Sequence, residues 1–152
     1  MKYQWQYQKL CGVTYNVLPQ SQIMPFLMDW VMQEWKTDHG EFPDQPWTAE
    51  WLHLLPEMEF TQQTLSLADI VLRADLMNHK TPDYDFAAEL GERVQEREVS
   101  FLRGVSCEPL VANGHGLELM DGYTRYMVFR KHKQEEVLAY VGTLKSQSPN
   151  RG

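Results

Sequence analysis

The sequence is poor in cysteine, in long apolar runs and in positive charge. Its two cysteines, Cys11 and Cys107, lie far apart and form no CxxC. That excludes a disulfide scaffold or a structural zinc site as the organising feature, and fits two idle thiols in a reducing compartment. No apolar run reaches the length of about 18 residues that a membrane helix needs. The start, MKYQWQYQ, is too polar for a signal peptide, so a cytoplasmic protein without a membrane partner is expected. The five histidines show no HxxxH spacing, so no metal site is expected. With 14 basic and 21 acidic residues the formal charge is -7. Such a chain repels a phosphate backbone, which disfavours a general grip on nucleic acid. No internal repeat is present.

What is there describes one folded domain. The chain has 152 residues, 43% hydrophobic and 23% charged, enough for one core and too few for two. Trp5, Tyr7, Val13, Tyr15 and Val17 alternate loosely with polar residues, as in a short strand or an ordered arm. Ile23, Phe26, Leu27, Trp30, Val31 and Trp35 recur at three and four residue steps, predicting a helix with these on one face, ended by Gly40. After the turn Phe42–Pro46, the stretch Trp47 to Leu55 reads as a short helix capped by Thr48 and stopped by Pro56. All five tryptophans precede Leu52, and Trp30, Trp35, Trp47 and Trp51 are expected to be mostly buried against the core or a partner.

From Glu57 the pattern changes. Met58, Phe60, Gln62, Thr64 and Leu65 suggest a strand, closed by Leu67–Ile70. Asp83 to Leu102 reads as a helix with Phe86, Leu90, Val94, Arg97 and Phe101 along one side and acids at its N-terminus. Pro109–Val111 is an apolar strand, Asn113-Gly114-His115-Gly116 a hairpin turn, and Leu117–Met120 the returning strand. A helix from Tyr123 to Lys133 and a strand from Val137 to Val141 follow, and the tail SQSPNRG is expected to be disordered.

The segment LELMDGYTRYMVFRKH joins a strand, an Asp-Gly turn and a helix. Gly122 allows a sharp turn, and the amides of Tyr123, Thr124 and Arg125 head the helix without internal partners. A helix start of this kind attracts phosphate, with the Thr124 hydroxyl and the Arg125 guanidinium as further donors. On the residues alone an ordinary turn, with Asp121 capping the helix and Arg125 solvated, is equally well supported. Arg130 to Lys133 form a basic helix end, which the helix dipole favours, and read as a solvated face.

Asp121-Gly122-Tyr123-Thr124-Arg125-Tyr126 resembles the motif of the ParB/sulfiredoxin-like family. That motif reads AGERRxxA in ParB proteins, GGCHRxxA in sulfiredoxins and DGxHRxxA in members related to free-serine kinase. VSCEPLVAN is similar to the family's Q/E-P-I-V-V strand, and TLSLADI to its first strand. The resemblance covers about residues 60 to 143. It implies a small mixed sheet with packed helices and a nucleotide phosphate held at Asp121, Gly122, Tyr123, Thr124 and Arg125. By position it adds Lys80, with Asn78 and His79, as a phosphate-facing group, and Glu108 as a pocket residue. Glu108 is then the candidate base, or a plain strand-edge acid; Lys80 serves a phosphate or a solvated loop. Asp83 and Asp85 serve Mg²⁺ or the helix start. The sulfiredoxin cysteine falls at Tyr123, so sulfinic-acid reduction is not implied. The chain stops about ten residues beyond Val141, without a helix-turn-helix, which argues against specific DNA binding.

The expectation is therefore an α+β fold in three parts. Residues 1–56 form an N-terminal Trp-rich helical extension packed on the core, 57–143 a ParB/sulfiredoxin-like core, and 144–152 a disordered tail. The expected function is binding of a nucleotide, ATP or CTP with Mg²⁺, with ATP-dependent phosphotransfer to a small molecule as its catalytic form. The rival reading is a non-catalytic interaction module whose aromatic lobe binds a protein or a second copy of the chain as a homo-oligomer.

Overall fold

A two-residue turn sets the first element. Cys11 and Gly12 take φ of 50° and 81°, the left-handed pair that a tight hairpin needs, and join β1 (Gln6–Leu10) to β2 (Val13–Val17). Val13, Tyr15 and Val17 face inward and Thr14 and Asn16 outward, so the loose alternation of the sequence is a strand. The computed structural model describes residues 2–145, and the expected disordered tail from 146 onward lies outside them.

The helical region begins with α1 (Gln20–Phe26), which passes through a single π-turn at Leu27–Val31 into α2 (Met32–Glu41). The wider turn adds a residue to the spiral and rotates the inward face. Ile23, Leu27, Val31, Met32 and Trp35 are buried, while Trp30 is turned out and 64% exposed. Trp30 is thus not buried within the chain, against the expectation of burial on the core. Trp35, Trp47 and Trp51 are buried as expected, Trp35 and Trp51 with ring centroids 5.3 Å apart. The next helix, α3 (Pro46–Leu54), starts one residue earlier than predicted, because proline suits a first helical position. Thr48 is therefore inside the helix, not its cap; its hydroxyl donates back to the Gln45 carbonyl at 3.0 Å.

Strand β3 (Met58–Ser66) leads into a loop containing the short α4 (Ala74–Met77), then the small hairpin β4 (Lys80–Thr81) and β5 (Tyr84–Asp85). Helix α5 (Phe86–Leu102) begins three residues later than the sequence predicts, since Asp83 and Tyr84 belong to that hairpin region and Asp85 caps the helix by accepting from the Ala88 amide. The remaining elements are β6 (Leu110–Asn113), β7 (Leu119–Asp121), α6 (Tyr123–Lys131) and β8 (Glu136–Leu144). The main sheet runs β3-β8-β6-β7, with β6 and β8 parallel and the outer pairs antiparallel. The fold is α+β.

Strand β8 fills the middle of the sheet, and Val137 to Val141 are all buried. A continuous apolar run of this kind is what a strand covered on both faces requires. Helices α5 and α6 cross near Phe101 and Phe129, whose rings lie 6.1 Å apart. At the end of α6, Lys131 donates to the Glu98 carboxylate at 2.9 Å and the His132 ring meets it at 2.6 Å. The basic helix end is therefore partly paired with α5. The buried side chains of the helical region and of the sheet form one continuous cluster. Among the described residues no helix is long and apolar enough to cross a membrane.

Candidate functional site

Strand β7 delivers Asp121 to the edge of a cleft, and Gly122 turns the chain into α6. Gly122 has φ 98°. A Cβ there would meet Leu110 Cδ2 at 2.7 Å and Arg125 Nη2 at 2.8 Å. Both the left-handed backbone and the close approach thus call for glycine. The first backbone bond of the helix runs from the Tyr126 amide to the Gly122 carbonyl at 2.8 Å. No side chain caps this end, so Asp121 is not the cap that an ordinary turn would have supplied. The helix start carries the partial positive charge of unpaired amides.

Two cavities meet here. The smaller, about 230 Å³, is bordered by Gly122, Tyr123, Thr124 and Arg125, with Arg93 from α5 and Glu34 and Asp38 from α2. The larger, about 680 Å³, lies on the other side of the Asp121–Arg125 pair and includes Glu108, Pro109 and Tyr140. Arg125 is the shared wall. Its Nη2 donates to the Pro109 carbonyl at 3.3 Å and stands 3.5 Å from the Asp121 carboxylate. Its Nε is buried and has no partner among the described residues. The Arg125 side chain is 18% exposed, held in the wall where the sequence offered a solvated position as one alternative.

The sequence-predicted residues divide. Asp121, Gly122, Tyr123, Thr124 and Arg125 come together at the smaller cleft, and Glu108 joins Asp121 and Arg125 at the larger. Lys80 borders neither. It lies on β4, mostly exposed, 3.8 Å from the Asp85 carboxylate. His79 packs edge-on against Trp47 at 5.0 Å, away from any anion position. The Tyr123 side chain is an anchor: its hydroxyl donates to the Leu119 carbonyl at 2.9 Å and accepts from the Arg73 amide at 3.2 Å. Only its backbone is available to a ligand.

Sequence reasoning missed four charged groups. Arg93 borders the cleft from α5 but is mostly exposed and paired with Glu89 at 3.1 Å, and its spacing alone marks no site residue. Glu34 and Asp38, one turn apart on α2, read as solvated acids and border the cleft from their exposed side of that helix. Arg73 was also missed. It pairs with Glu50, Asp75 and Glu118 and lies 5.8 Å over the Trp51 ring, pinning α3 to the sheet. Burial works against its charge, but the bonds to Asp75 and Glu50 outweigh that and raise its affinity for the proton.

The cleft is acidic. Burial raises the Asp121 carboxyl above its ordinary value, with Arg125 partly offsetting it. Glu34 is raised by burial and by the nearby Asp121, and Asp38 by burial and by Glu41. Glu34 and Asp38 keep water on their outer side, which screens the effect. A carboxyl raised in the fold holds its proton more tightly folded than unfolded. Its contribution to stability is present below its unfolded value and is lost as pH rises through the folded one. Glu34→Gln should therefore flatten the decline in melting temperature as pH rises from about 4.5, the ordinary glutamate value. Melting curves of wild type and variant across that window check this; parallel pH profiles would remove Glu34 from the account.

No family model matches the chain, and no curated protein matches it significantly. Among solved structures it is similar to two of the pNOB8-like ParB N-domain. The first, the C2221 crystal form, aligns with 22% identity and a TM-score of 0.43 over 60% of this chain and 33% of the other. The second gives 22% identity and 0.42 over 60% and 30%. The matched region thus spans about a third of those chains. At this level the likeness assigns no residue a role.

Proposed function

We propose that the chain binds a nucleotide, ATP or CTP, with its phosphates at the start of α6. The observation that supports this is the uncapped Gly122–Arg125 turn opening on a cleft, beside a buried guanidinium whose Nε lacks a partner. Unpaired amides and a buried cation together favour an oxyanion ligand. The carboxylates of Glu34, Asp38 and Asp121 flank that position and would repel bare phosphate. The nucleotide therefore enters with Mg²⁺. Among the described residues no three His, Cys, Asp or Glu side chains are grouped to hold a metal by themselves. That fits Mg²⁺, which commonly takes one or two carboxylates and relies on phosphate oxygens and water for the rest.

In the catalytic form of this reading, the terminal phosphoryl group leaves the nucleotide, which departs as the diphosphate, for a hydroxyl of a small molecule that reaches the Asp121–Arg125 wall from the larger cavity. Glu108, on that cavity's wall, takes the hydroxyl proton, and Arg125 neutralises charge at the phosphate. An interaction module is the second reading, favoured by the exposure of Trp30 and of Trp5, which is 40% exposed.

Isothermal titration with ATP and CTP, with and without Mg²⁺, tests the proposal. Binding should require Mg²⁺, and Arg125→Ala should weaken it by about 1–3 kcal/mol. Because Arg125 is held in the wall, the same change should also lower the melting temperature, so Arg125→Lys serves as the charge-retaining control. Absence of heat from wild type with Mg²⁺ and roughly millimolar nucleotide, an affinity of about -4 kcal/mol, would end the nucleotide reading.

A further inference from the structure

The larger cavity has a composition that phosphate binding does not explain. Its outer wall carries the rings of Tyr3, Trp5, Phe26 and Trp30. Tyr3, Trp5 and Phe26 pack on one another, with centroids 5.1 to 6.1 Å apart, and Trp30 stands alone and open to solvent. Its charged lining consists of Asp29, Glu34, Glu108, Asp121 and Arg125. Arg125 is already matched by Asp121, and Asp29 accepts a hydrogen bond from the Tyr3 hydroxyl. Glu34 and Glu108 remain, on opposite elements, and neither has an ion-pair or hydrogen-bond partner among the described residues. Four carboxylates and one cation therefore surround a space lined by aromatic rings.

An aromatic face attracts a cation through its quadrupole, most strongly on tryptophan, and a carboxylate attracts it through charge. Both features disfavour an anion and select a positively charged ligand with an apolar body. A volume of about 680 Å³ lies in the range of small-molecule sites. We infer that the larger cavity is a binding site for a small organic cation, an alkyl or quaternary ammonium, held between the Trp5 and Trp30 rings and the carboxylates of Glu34 and Glu108. This site does not depend on nucleotide. If the nucleotide reading holds, it gives the second substrate a chemical class: a hydroxyl-bearing ammonium compound.

The test uses choline and its neutral isostere 3,3-dimethylbutan-1-ol, titrated into the full chain at neutral pH without nucleotide or Mg²⁺. The readout is the indole N–H resonances of the tryptophans. Choline should give saturable shifts confined to Trp5 and Trp30. The isostere should bind at least about tenfold more weakly, because it keeps the shape and lacks the charge. The double variant Glu34→Gln, Glu108→Gln should lose affinity for choline by a similar factor. Absence of saturable shifts with choline, equal binding of the isostere, or unchanged affinity in a folded double variant would each overturn the assignment. Since no nucleotide is present, failure here is separate from failure of the nucleotide reading.

Discussion

Gly122→Ala is expected to lower the stability of the protein by about 2–6 kcal/mol. Two costs combine. A non-glycine residue at φ 98° is strained by roughly 1–3 kcal/mol. Its Cβ would also press on Leu110 Cδ2, in a fully buried side chain, and such overpacking costs about 1–3 kcal/mol. For a chain of this size the sum corresponds to a fall in melting temperature of roughly 4–24 °C. The clash can be separated from the strain. Leu110→Ala alone costs stability, but combined with Gly122→Ala it should lose less than the sum, because one change relieves the other. Calorimetry on the four proteins measures this. A melting temperature for Gly122→Ala within about a degree of wild type would show that the turn tolerates a side chain.

Trp51→Ala should be comparably damaging, at about 3–5 kcal/mol, the usual loss for a large aromatic removed from a core. The ring is 4% exposed, packs on Trp35, and donates from Nε1 to Glu118 at 3.3 Å while Arg73 lies over its face. It is therefore the joint between α3 and the edge of the sheet. Since whole domains are stable by only about 5–15 kcal/mol, the variant is expected to be partly unfolded at physiological temperature. Trp51→Phe keeps most of the packing and should cost far less, about 1–2 kcal/mol for the lost hydrogen bond and reduced area. Urea unfolding followed by far-UV and near-UV circular dichroism should give one coincident transition in wild type. Two separated transitions would show that the helical region and the sheet melt independently.

Elements with a strong local rhythm were legible in the sequence. Strand β8 was visible as Val137 to Val141, strand β6 as the run after Pro109, and α6 began at the residue its Asp-Gly turn indicated. The turn at Asn113 was legible too, and the Asn113 side chain accepts from the His115 amide at 2.9 Å. What failed were features set by one extra residue or by distant partners. A single π-turn sent Trp30 outward although its spacing matched the apolar face. Strand β7 starts at Leu119, two residues later than its pattern, because Gly116 and Leu117 both take left-handed φ and Glu118 bridges to Val71. The candidate site was half legible. The Asp121–Arg125 turn announces itself by composition, whereas Glu34 and Arg93 reach it only through tertiary packing. Lys80 shows the converse: proximity to the site was inferred by position, and the hairpin at Lys80–Asp85 places it elsewhere.

The sheet order has a consequence for how the molecule is made. Strand β8 lies between β3 and β6 yet is the last of the described elements to leave the ribosome. Its ladder with β3 runs from Met58↔Leu144 to Ser66↔Glu136, contacts separated by about half the chain. Pairings this distant in sequence make folding slow, because a long loop must close before any hydrogen bond rewards it. Until β8 emerges, β3 and β6 have no shared neighbour in the sheet. The nascent chain thus carries a helical region able to form early and an uncompleted sheet that waits for its centre, and this interval is when it most needs protection from aggregation.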